Sequence, residues 1–248
     1  MIHVDRGVIR RERIARLVHG RPQHDRPYSG SAATDAAFVQ LRRVSKSYDS
    51  RLAAVHALQE IDLEVEVGEL VVISGGGGSG KTTLIELVGA AQRPTSGEIL
   101  VGGRRLDLLD DRGRLEFRTG NVALAPQTPT LAPTLSAHET VLQASRTSRT
   151  SRPDDWTRTC LEALDLDKDA AVLAADLSAD GQQRLSVARA LAKDAPLLLL
   201  DEPLTSTTVA ARARLLAAVP RLIGRATTVV WTATAHDDVP FADRVVRL

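Results

Sequence analysis

The fold of this chain is decided by the stretch Ser74-Gly-Gly-Gly-Gly-Ser-Gly-Lys-Thr-Thr83. From Gly75 to Thr82 it matches the pattern Gly-x-x-x-x-Gly-Lys-Ser/Thr, in which x is any residue. A continuously apolar run at 70–73 precedes it, and a helix-compatible run at 84–89 follows it. A strand, a glycine-rich loop and a helix in this order predict a phosphate-binding loop. A flexible Gly/Ser linker, the alternative, would not end in Lys-Thr between a buried strand and a helix.

Each residue type in this loop has a physical role in holding phosphate. Glycine has no Cβ, so consecutive backbone N–H groups can converge on phosphate oxygens. The helix that follows adds the positive end of its dipole. Lys81 can reach the β- and γ-phosphates of a nucleotide, and the Thr82 hydroxyl can ligate Mg²⁺. The nucleotide-binding residues predicted here are Gly75, Gly76, Gly77, Gly78, Ser79, Gly80, Lys81, Thr82 and Thr83.

Two adjacent carboxylates follow a second apolar run. The run is residues 197–200, and Asp201-Glu202-Pro203 comes directly after it. Ligands of open α/β sheets bind beyond the carboxyl ends of the strands. At such an edge Asp201 is suited to hold Mg²⁺ through water, and Glu202 is suited to activate an attacking water as general base. The alternative is a solvated strand end before a proline turn, which the upstream phosphate loop disfavours.

The apolar pattern separates two kinds of strand. Residues 38–44 and 61–67 alternate apolar and polar side chains, which predicts antiparallel strands with one wet face. The runs at 70–73, 197–200 and 228–231 are continuously apolar, as parallel strands buried on both faces are. The chain is therefore expected to be an α/β protein with an antiparallel sheet before a parallel core.

Between 134 and 192 the sequence favours helices, which we expect to form an insert within the parallel core. One predicted helix carries Trp156, Cys160, Leu161 and Leu164 on one side, and another carries Leu185, Ala188 and Leu191. Cys160 is the only cysteine, so an internal disulfide is excluded and a reducing cytosol is favoured.

The bulk composition is that of a soluble globular protein of 248 residues, 43% hydrophobic and 25% charged. A formal net charge of +1 gives no overall attraction to nucleic acid or to an anionic membrane, so no nucleic-acid partner is expected. No apolar run approaches the roughly 18–20 residues that span a bilayer. The N-terminus carries no apolar segment of the secretory type.

Residues 1–37 differ from the rest of the chain. They carry seven arginines and then a segment rich in Pro, Ser, Gly and Ala. We predict a basic, disordered extension, and a misassigned start codon would give the same pattern. A basic arm that touches anionic lipid is the alternative.

Further motifs make residues 38–248 resemble the nucleotide-binding domain of ABC transporters. They are the opening strand Val44-Ser-Lys-Ser-Tyr48, the pair Pro126-Gln127, the pair Leu177-Ser178 with Gln183-Arg184, and His236-Asp237 after an apolar strand. The tracts 55–63 and 94–99 look nearest to the branch that serves lipoprotein release, macrolide export and cell division.

The resemblance implies a P-loop NTPase with a RecA-like parallel-sheet core, an N-terminal antiparallel β subdomain and an inserted α-helical subdomain at about 128–190. It also assigns roles to residues of the other motifs. Tyr48 would stack on adenine, and Gln127 would touch Mg²⁺ or the attacking water and report nucleotide to a partner subunit. Ser178 would belong to the signature motif, and His236 would contact the γ-phosphate.

In this family two such domains pair head to tail around two ATP molecules, and nucleotide favours the closed pair. We therefore expect ATP and Mg²⁺ as ligands, hydrolysis of ATP, and a homodimer or a heterodimer with another ABC ATPase. The dimer would dock on integral membrane permease subunits. The expected location is cytoplasmic, peripheral on the inner face of the cell membrane.

The signature motif departs from the family pattern Leu-Ser-Gly-Gly-Gln. The ungapped alignment places the run Leu177-Ser-Ala-Asp-Gly181 there, and a one-residue insertion that restores Gly181-Gln182 is the alternative. A carboxylate at Asp180 would face the other chain's γ-phosphate, where two unit charges about 4 Å apart repel by about 4 kcal/mol at an effective dielectric near 20. Alternatively, Asp180 turns outward and caps the next helix.

A second departure lies in the D-loop, where Leu204-Thr-Ser-Thr-Thr208 ends in threonine and the family usually has aspartate. Both changes lie in the part of the site that is offered to the partner. We therefore hypothesise that the chain binds ATP normally but gives its partner a poor half-site. A hydrolysis-impaired, ATP-dependent clamp that regulates a membrane complex is the alternative to a transporter ATPase.

Two other classes are disfavoured. A soluble ABC ATPase that acts on ribosomes or DNA usually carries two such domains or long inserts, and this chain lacks a strong basic surface signal. A P-loop kinase of small molecules would lack the block of Leu177-Ser178 with Gln183-Arg184.

Overall fold

The computed structural model describes residues 37–49, 54–148, 150–205, 207–234 and 239–248. The strands are β1 (Val39–Tyr48), β2 (Val55–Val65), β3 (Leu70–Ser74), β4 (Ser96–Val101), β5 (Arg104–Arg105), β6 (Val122–Ala125), β7 (Leu197–Asp201), β8 (Thr228–Ala233) and β9 (Arg244–Arg247). The helices are α1 (Lys81–Val88), α2 (Asp111–Asn121), α3 (Ala137–Arg146), α4 (Pro153–Ala163), α5 (Ala179–Ala192) and α6 (Val209–Leu222), with a 3₁₀ turn at Ala174–Asp176.

A parallel sheet in the order β6-β7-β8-β3-β9 carries both predicted sequence motifs. Its central strands are β7, β8 and β3, and these are the three continuously apolar runs of the sequence. Val71 is paired with Val230, and Leu198 is paired with Val229, so the register places apolar residues side by side. The phosphate loop follows β3, and the acidic pair begins at the end of β7. The predicted parallel core is confirmed.

The parallel sheet separates two apolar cores, and this explains why its strands do not alternate in polarity. Along each strand successive side chains point to opposite faces. One core lies against α1 and the antiparallel sheet and includes Val71, Ile73, Leu197, Leu199 and Val230. The other lies against α3 to α6 and includes Leu70, Val72, Leu198, Leu200 and Trp231.

The antiparallel sheet has the order β2-β1-β4-β5, as the alternating segments predict. Its alternation is interrupted in β1, where Arg42 and Arg43 are both exposed. Arg43 has φ 47°, and the pairing with β2 shifts register between Leu41 and Val44. This bulge returns Val44 to the core, which is the usual effect of one extra residue in a strand. The sheet is therefore continuous across it.

The helical region contains α3, α4 and α5, all within the segment that the sequence favours for helices. Cys160, Leu161 and Leu164 are buried in one cluster, and the indole N–H of Trp156 donates to the carbonyl of Ala192 at 3.1 Å. The cap of α3 is a reciprocal box between Ser136 and Glu139. The two predicted apolar helix faces are confirmed, and the subdomain boundaries at 128 and 190 stay a prediction.

The helices of the described segments are too short or too polar to serve as bilayer-spanning segments. The prediction of a basic, disordered extension covers residues 1–37, of which 1–36 lie outside the described residues, as does the predicted switch residue His236.

Candidate nucleotide site

The phosphate loop leaves the carboxyl end of β3 and enters α1, as the motif predicts. Two of its glycines are required by the fold itself. A Cβ at Gly75 would lie 2.5 Å from the Ser79 hydroxyl oxygen, and one at Gly80 would lie 2.5 Å from the Ala57 carbonyl oxygen. Gly80 also has φ 95°, where side-chain-bearing residues are strained.

The three glycines between them have a different environment. A Cβ built at Gly76, Gly77 or Gly78 meets nothing within 4 Å, and all three residues are exposed. Packing therefore does not require glycine at these positions, although the φ of 76° at Gly78 does favour it. The absence of side chains leaves a concave surface of peptide groups, which we call the cradle. Such a surface is suited to a phosphate group, and a flexible linker would not need it.

Lys81 starts α1 and is 4% exposed. Its ammonium donates to the carbonyl oxygens of Gly75 at 2.8 Å and Gly76 at 2.7 Å, so it folds back over its own loop. It also lies 3.2 Å from Oε1 of Glu202. A nearly buried ammonium needs such partners because burial of an unpaired charge is costly. The ammonium group that is predicted to bind phosphate is thus positioned by its own loop and by Glu202, the predicted general base.

The acidic pair is organised by Thr232, a residue of the neighbouring strand β8 that is not among the predicted site residues. In the register of β7 with β8, Asp201 is paired with Thr232. The Thr232 hydroxyl donates to Oδ1 of Asp201 at 2.6 Å and accepts the backbone N–H of Glu202 at 2.9 Å. A hydroxyl at the end of a fully buried strand was the signal that could have identified it, since buried polar groups need hydrogen-bond partners.

Glu202 has φ 43°, and its side chain faces Lys81 of the phosphate loop. Its Oε2 accepts from the Gln127 side-chain amide at 3.0 Å and from the Thr205 hydroxyl at 3.1 Å, while Oε1 faces Lys81. Gln127 follows β6, at the same edge of the sheet. The structure therefore brings together three of the four predicted catalytic residues, Lys81, Gln127 and Glu202; the fourth, His236, lies outside the described residues.

The predicted metal ligands are Thr82, Gln127 and Asp201. Thr82 is exposed in the first turn of α1, Gln127 contacts Glu202, and Asp201 is 2% exposed with its carboxylate held by Thr232. These groups offer a hydroxyl oxygen, an amide oxygen and carboxylate oxygens, which are ligands that Mg²⁺ accepts when nucleotide phosphates and water complete its shell. The donor set fits Mg²⁺, and its coordination stays a prediction.

Tyr48, the predicted adenine platform, is the last residue of β1 and lies beside the loop's helix. Its hydroxyl donates to Oε1 of Gln92 at 3.0 Å and lies 3.4 Å from the Thr83 hydroxyl. The Lys46 ammonium lies 5.0 Å from the centre of its ring. The ring is half-buried and anchored to the segment that starts with the phosphate loop. Its contact with adenine stays a prediction.

Ser178, the predicted signature serine, is the N-cap of α5, and its hydroxyl oxygen accepts the backbone N–H of Gly181 at 3.1 Å. Ser178, and not Asp180, therefore caps this helix through its side chain. The Asp180 carboxylate instead accepts from Arg184 and from Thr208, so two of the positions that depart from the family pattern, one in the signature motif and one in the D-loop, are in contact. Neither Tyr48 nor Ser178 contacts the cluster of Lys81, Gln127 and Glu202 among the interactions of the described residues.

Comparison with known proteins identifies the family of the chain. A sequence profile of the ABC transporter family matches residues 58–205, which include the phosphate loop and the acidic pair. The macrolide export ATP-binding/permease protein MacB 2 of Aeromonas hydrophila is 31% identical over 212 residues, which are 85% of this chain but only 33% of that protein. The lipoprotein-releasing system ATP-binding protein LolD of Pseudomonas syringae pv. tomato is 33% identical over 172 residues, which are 68% of this chain and 76% of that protein.

Among solved structures, the chain is similar to the ATP-binding cassette MJ0796 of Methanocaldococcus jannaschii in a dimeric, post-hydrolysis state bound to ADP and Pi. The TM-score is 0.76 at 28% identity, over 85% of this chain and 94% of that chain. The predicted fold and the predicted relation to lipoprotein-release and macrolide-export proteins are thereby confirmed. The chain belongs to the ABC transporter family.

Proposed function

We propose that this chain is an ATPase that couples the binding and hydrolysis of MgATP, at an interface with a second nucleotide-binding chain, to the movement of separate membrane subunits. The observation that carries the proposal is the meeting of Lys81, Gln127 and Glu202 beside a loop whose glycines face open space. This grouping of a cation, a polar amide and a carboxylate supports a site at which the terminal phosphate and a water molecule would meet.

Binding begins with an exchange of partners at Lys81. Its ammonium is held by two neutral carbonyl oxygens and one carboxylate. A triphosphate carries more negative charge than these three groups together, so it can replace them as the partner of Lys81. The backbone N–H groups of the loop and the start of α1 add donors and a positive dipole end. Tyr48 supplies the aromatic surface for the base.

Thr82, Asp201 and Gln127 would hold Mg²⁺. When bound, the metal neutralises charge on the β- and γ-phosphate oxygens. The chain would orient these ligands, and Thr232 orients Asp201 by donating a hydrogen bond of 2.6 Å to its carboxylate.

Glu202 is the general base of the proposed hydrolysis. It takes a proton from a water molecule whose oxygen attacks the γ-phosphorus, and the bond from that phosphorus to the bridging oxygen of ADP breaks. Gln127 lies within hydrogen-bond distance of the Glu202 carboxylate and can orient the same water. Once Lys81 binds phosphate, Glu202 loses its cationic partner and its carboxylate becomes available to water.

The partner chain would complete the site with its own signature motif, and this chain would offer Ser178 at the start of α5 in return. His236 would contact the γ-phosphate. The dimeric MJ0796 cassette supports pairing of two cassettes, and the second one would be either another copy of this chain or a different ABC ATPase. The permease named in the macrolide export protein supports integral membrane permease subunits as the further partner. The location that follows is cytoplasmic, on the inner face of the membrane, with no nucleic-acid partner.

The test is titration of the purified chain with MgATP, alongside the variant Lys81→Ala. We expect saturable binding that the substitution weakens at least about tenfold, since one charge-assisted contact to phosphate contributes about 1.5–3 kcal/mol. The control Lys168→Ala removes an exposed lysine remote from the site and should bind as the parent does. Absence of saturable binding, together with no effect of Lys81→Ala, would overturn the proposal.

The second candidate is a clamp that binds ATP but hydrolyses it slowly, and the altered residues Asp180 and Thr208 are the observation that favours it. The variant Glu202→Gln separates the two functions. A transporter ATPase should hydrolyse ATP measurably, and the variant should accumulate an ATP-bound dimer on gel filtration. A clamp should show the dimer with ATP already in the parent, with turnover that the substitution does not lower.

A further inference from the structure

Asp180 and Thr208 join the first turns of two helices, α5 and α6. The backbone N–H of Thr208 donates to Oδ1 of Asp180 at 3.0 Å, and the Thr208 hydroxyl lies 3.3 Å from the same oxygen. The other oxygen, Oδ2, accepts from Nε of Arg184 at 3.0 Å. We call these three residues the Asp180 clasp. Both carboxylate oxygens thus have donors within the chain.

Arg184 extends the clasp to the end of α4. Its guanidinium donates to the carbonyl oxygens of Leu164 at 2.7 Å and Asp165 at 2.6 Å. The Asp165 side chain in turn lies 3.2 Å from Nε of Arg214 on α6. The chain of contacts therefore leaves α6 at Thr208 and returns to it at Arg214, so α6 is attached to α4 and α5 at two points.

The ion pair of the clasp is partly shielded from water, with 20% of the Asp180 side chain and 13% of the Arg184 side chain exposed, whereas Thr208 is an exposed residue. An ion pair in such a setting is less screened than one on an open surface, and it gains from hydrogen bonds that satisfy the remaining lone pairs. Turning the carboxylate outward, toward a second chain, would leave Arg184 and the Thr208 N–H without this acceptor. The geometry therefore opposes the orientation in which Asp180 repels a partner's phosphate.

We propose that Asp180 is a positioning residue that acts within its own chain, where the clasp holds the first turn of α5 and so the orientation of Ser178. This inference rests on the proposed function only for its effect on turnover, because Ser178 acts there as the group offered to the partner's nucleotide. Thr208, the second departure from the family pattern, is the matching half of the same contact. The two substitutions form one intrachain unit, and the predicted poor half-site does not follow from them.

The experiment compares Asp180→Ala, Asp180→Asn, Thr208→Ala and the double alanine variant in MgATP titration and in steady-state hydrolysis. We expect Asp180→Ala to lower kcat about fivefold while the Kd for MgATP stays within about twofold. Asp180→Asn keeps an oxygen acceptor for Thr208 and should lie between the two. The double variant should be no slower than the slower single variant, which is the signature of a shared contact.

The matched control is Asp154→Ala. Asp154 occupies the second position of α4, as Asp180 does of α5, but it is exposed. Its removal tests the general effect of an acidic residue on the helix dipole, and kcat should be unchanged. Thr208→Ser, which keeps the hydroxyl and the N-cap, should retain the parent rate. These two variants separate the clasp from a general loss of helix stability.

The dependence of turnover on ionic strength distinguishes repulsion across the dimer from a contact within the chain. A carboxylate that repels phosphate across the dimer would be screened by salt, so parent turnover would rise between about 0.05 and 0.5 M NaCl. We expect no such rise. A faster Asp180→Ala or Asp180→Asn enzyme, an unchanged Asp180→Ala enzyme, or independent effects in the double variant would each overturn the proposal.

The clasp can also be tested without hydrolysis. A double-mutant cycle on thermal unfolding of the nucleotide-free chain should show coupling between Asp180 and Thr208, and additive shifts in unfolding temperature would contradict the contact. Failure of the proposed function would instead appear as absence of MgATP binding in the parent chain. The two failures are therefore distinguishable.

Discussion

Lys81 and Glu202 lie 3.2 Å apart, between Nζ and Oε1, with side chains that are 4% and 12% exposed. One residue comes from the helix after β3 and the other from the end of β7, two strands that are separated in the sheet by β8. Each is the other's counter-charge in a site with little water, where an unpaired charge is costly. A ligand phosphate that attracts Lys81 therefore changes the environment of the proposed base directly.

Glu202→Gln should lower the stability of the nucleotide-free chain by about 1–3 kcal/mol, because Lys81 loses its only carboxylate partner among the described contacts. Bound ATP supplies phosphate oxygens instead, so the rise in unfolding temperature on addition of MgATP should be larger than in the parent. Thermal unfolding with and without nucleotide measures this. The exposed control Glu162→Gln should shift neither value, and an equal ATP-induced rise in both proteins would contradict the exchange of partners.

Thr232→Val removes the hydroxyl that joins Asp201 to the Glu202 backbone while keeping the side-chain volume. We expect a loss of about 1–3 kcal/mol of stability and a fall in kcat of about tenfold or more. Thr228→Val is the matched control, since Thr228 is buried at the other end of β8 and accepts from Gly68. That variant should lose comparable stability but keep its kcat. Equal kcat in the two variants would rule out a positioning role for Thr232.

Gly77→Ala should separate phosphate binding from folding. The added Cβ meets nothing within 4 Å, so the free energy of unfolding should stay within about 0.5 kcal/mol of the parent. The methyl group would occupy the cradle, and MgATP affinity should fall. Gly80→Ala should instead lower stability as well, because its Cβ would lie 2.5 Å from the Ala57 carbonyl oxygen at φ 95°. Gly120→Ala, on α2 with no neighbour in range, is the control for both. Unchanged ATP affinity in Gly77→Ala would remove the cradle from the binding site.

Tyr48→Ala should weaken binding of ATP about tenfold, since stacking of a base on an aromatic ring contributes about 1–3 kcal/mol. Binding of inorganic tripolyphosphate, which has no base, should be unaffected. Tyr48→Phe keeps the ring but loses the hydrogen bond to Gln92, so its ATP affinity should lie between those of the parent and the alanine variant. Calorimetric titration with both ligands measures the difference. A loss of tripolyphosphate affinity in Tyr48→Ala would assign the residue to the loop's structure instead of the base.

Cys160 should be inert to thiol reagents in the folded chain. Burial in the helical core, with a smaller effect of the negative charge of Asp194, raises the pKa of the Cys160 thiol above its ordinary value of 9.0. The folded thiol thus stays protonated where the unfolded thiol ionises, so the free energy of unfolding should decrease as the pH rises above about 9. Labelling with a chromogenic disulfide at pH 8 should be slow in buffer and fast in guanidinium chloride. Rapid labelling of the native chain would contradict the buried position.

Part of the candidate site could be predicted from short sequence patterns. Two motifs are local in the chain: the spacing from Gly75 to Thr82 and the pair Asp201-Glu202. The apolar strand before each of them indicates that both motifs lie at carboxyl ends of strands. These features could be predicted because phosphate binding and parallel pairing impose short, regular patterns. The meeting of Lys81 with Glu202 was implied by the shared edge of the sheet but not by any local signal.

The sequence by itself therefore determined the phosphate loop, the acidic pair, the two kinds of sheet and the family to which the chain belongs. Only the tertiary structure decided which hydroxyl supports Asp201, how the bulge at Arg43 keeps β1 continuous, and where the Asp180 carboxylate points. The physical reason is that hydrogen bonds between distant segments depend on strand register and helix packing. A single residue such as Thr208 carries no local pattern that reveals its partner 28 positions earlier in the chain.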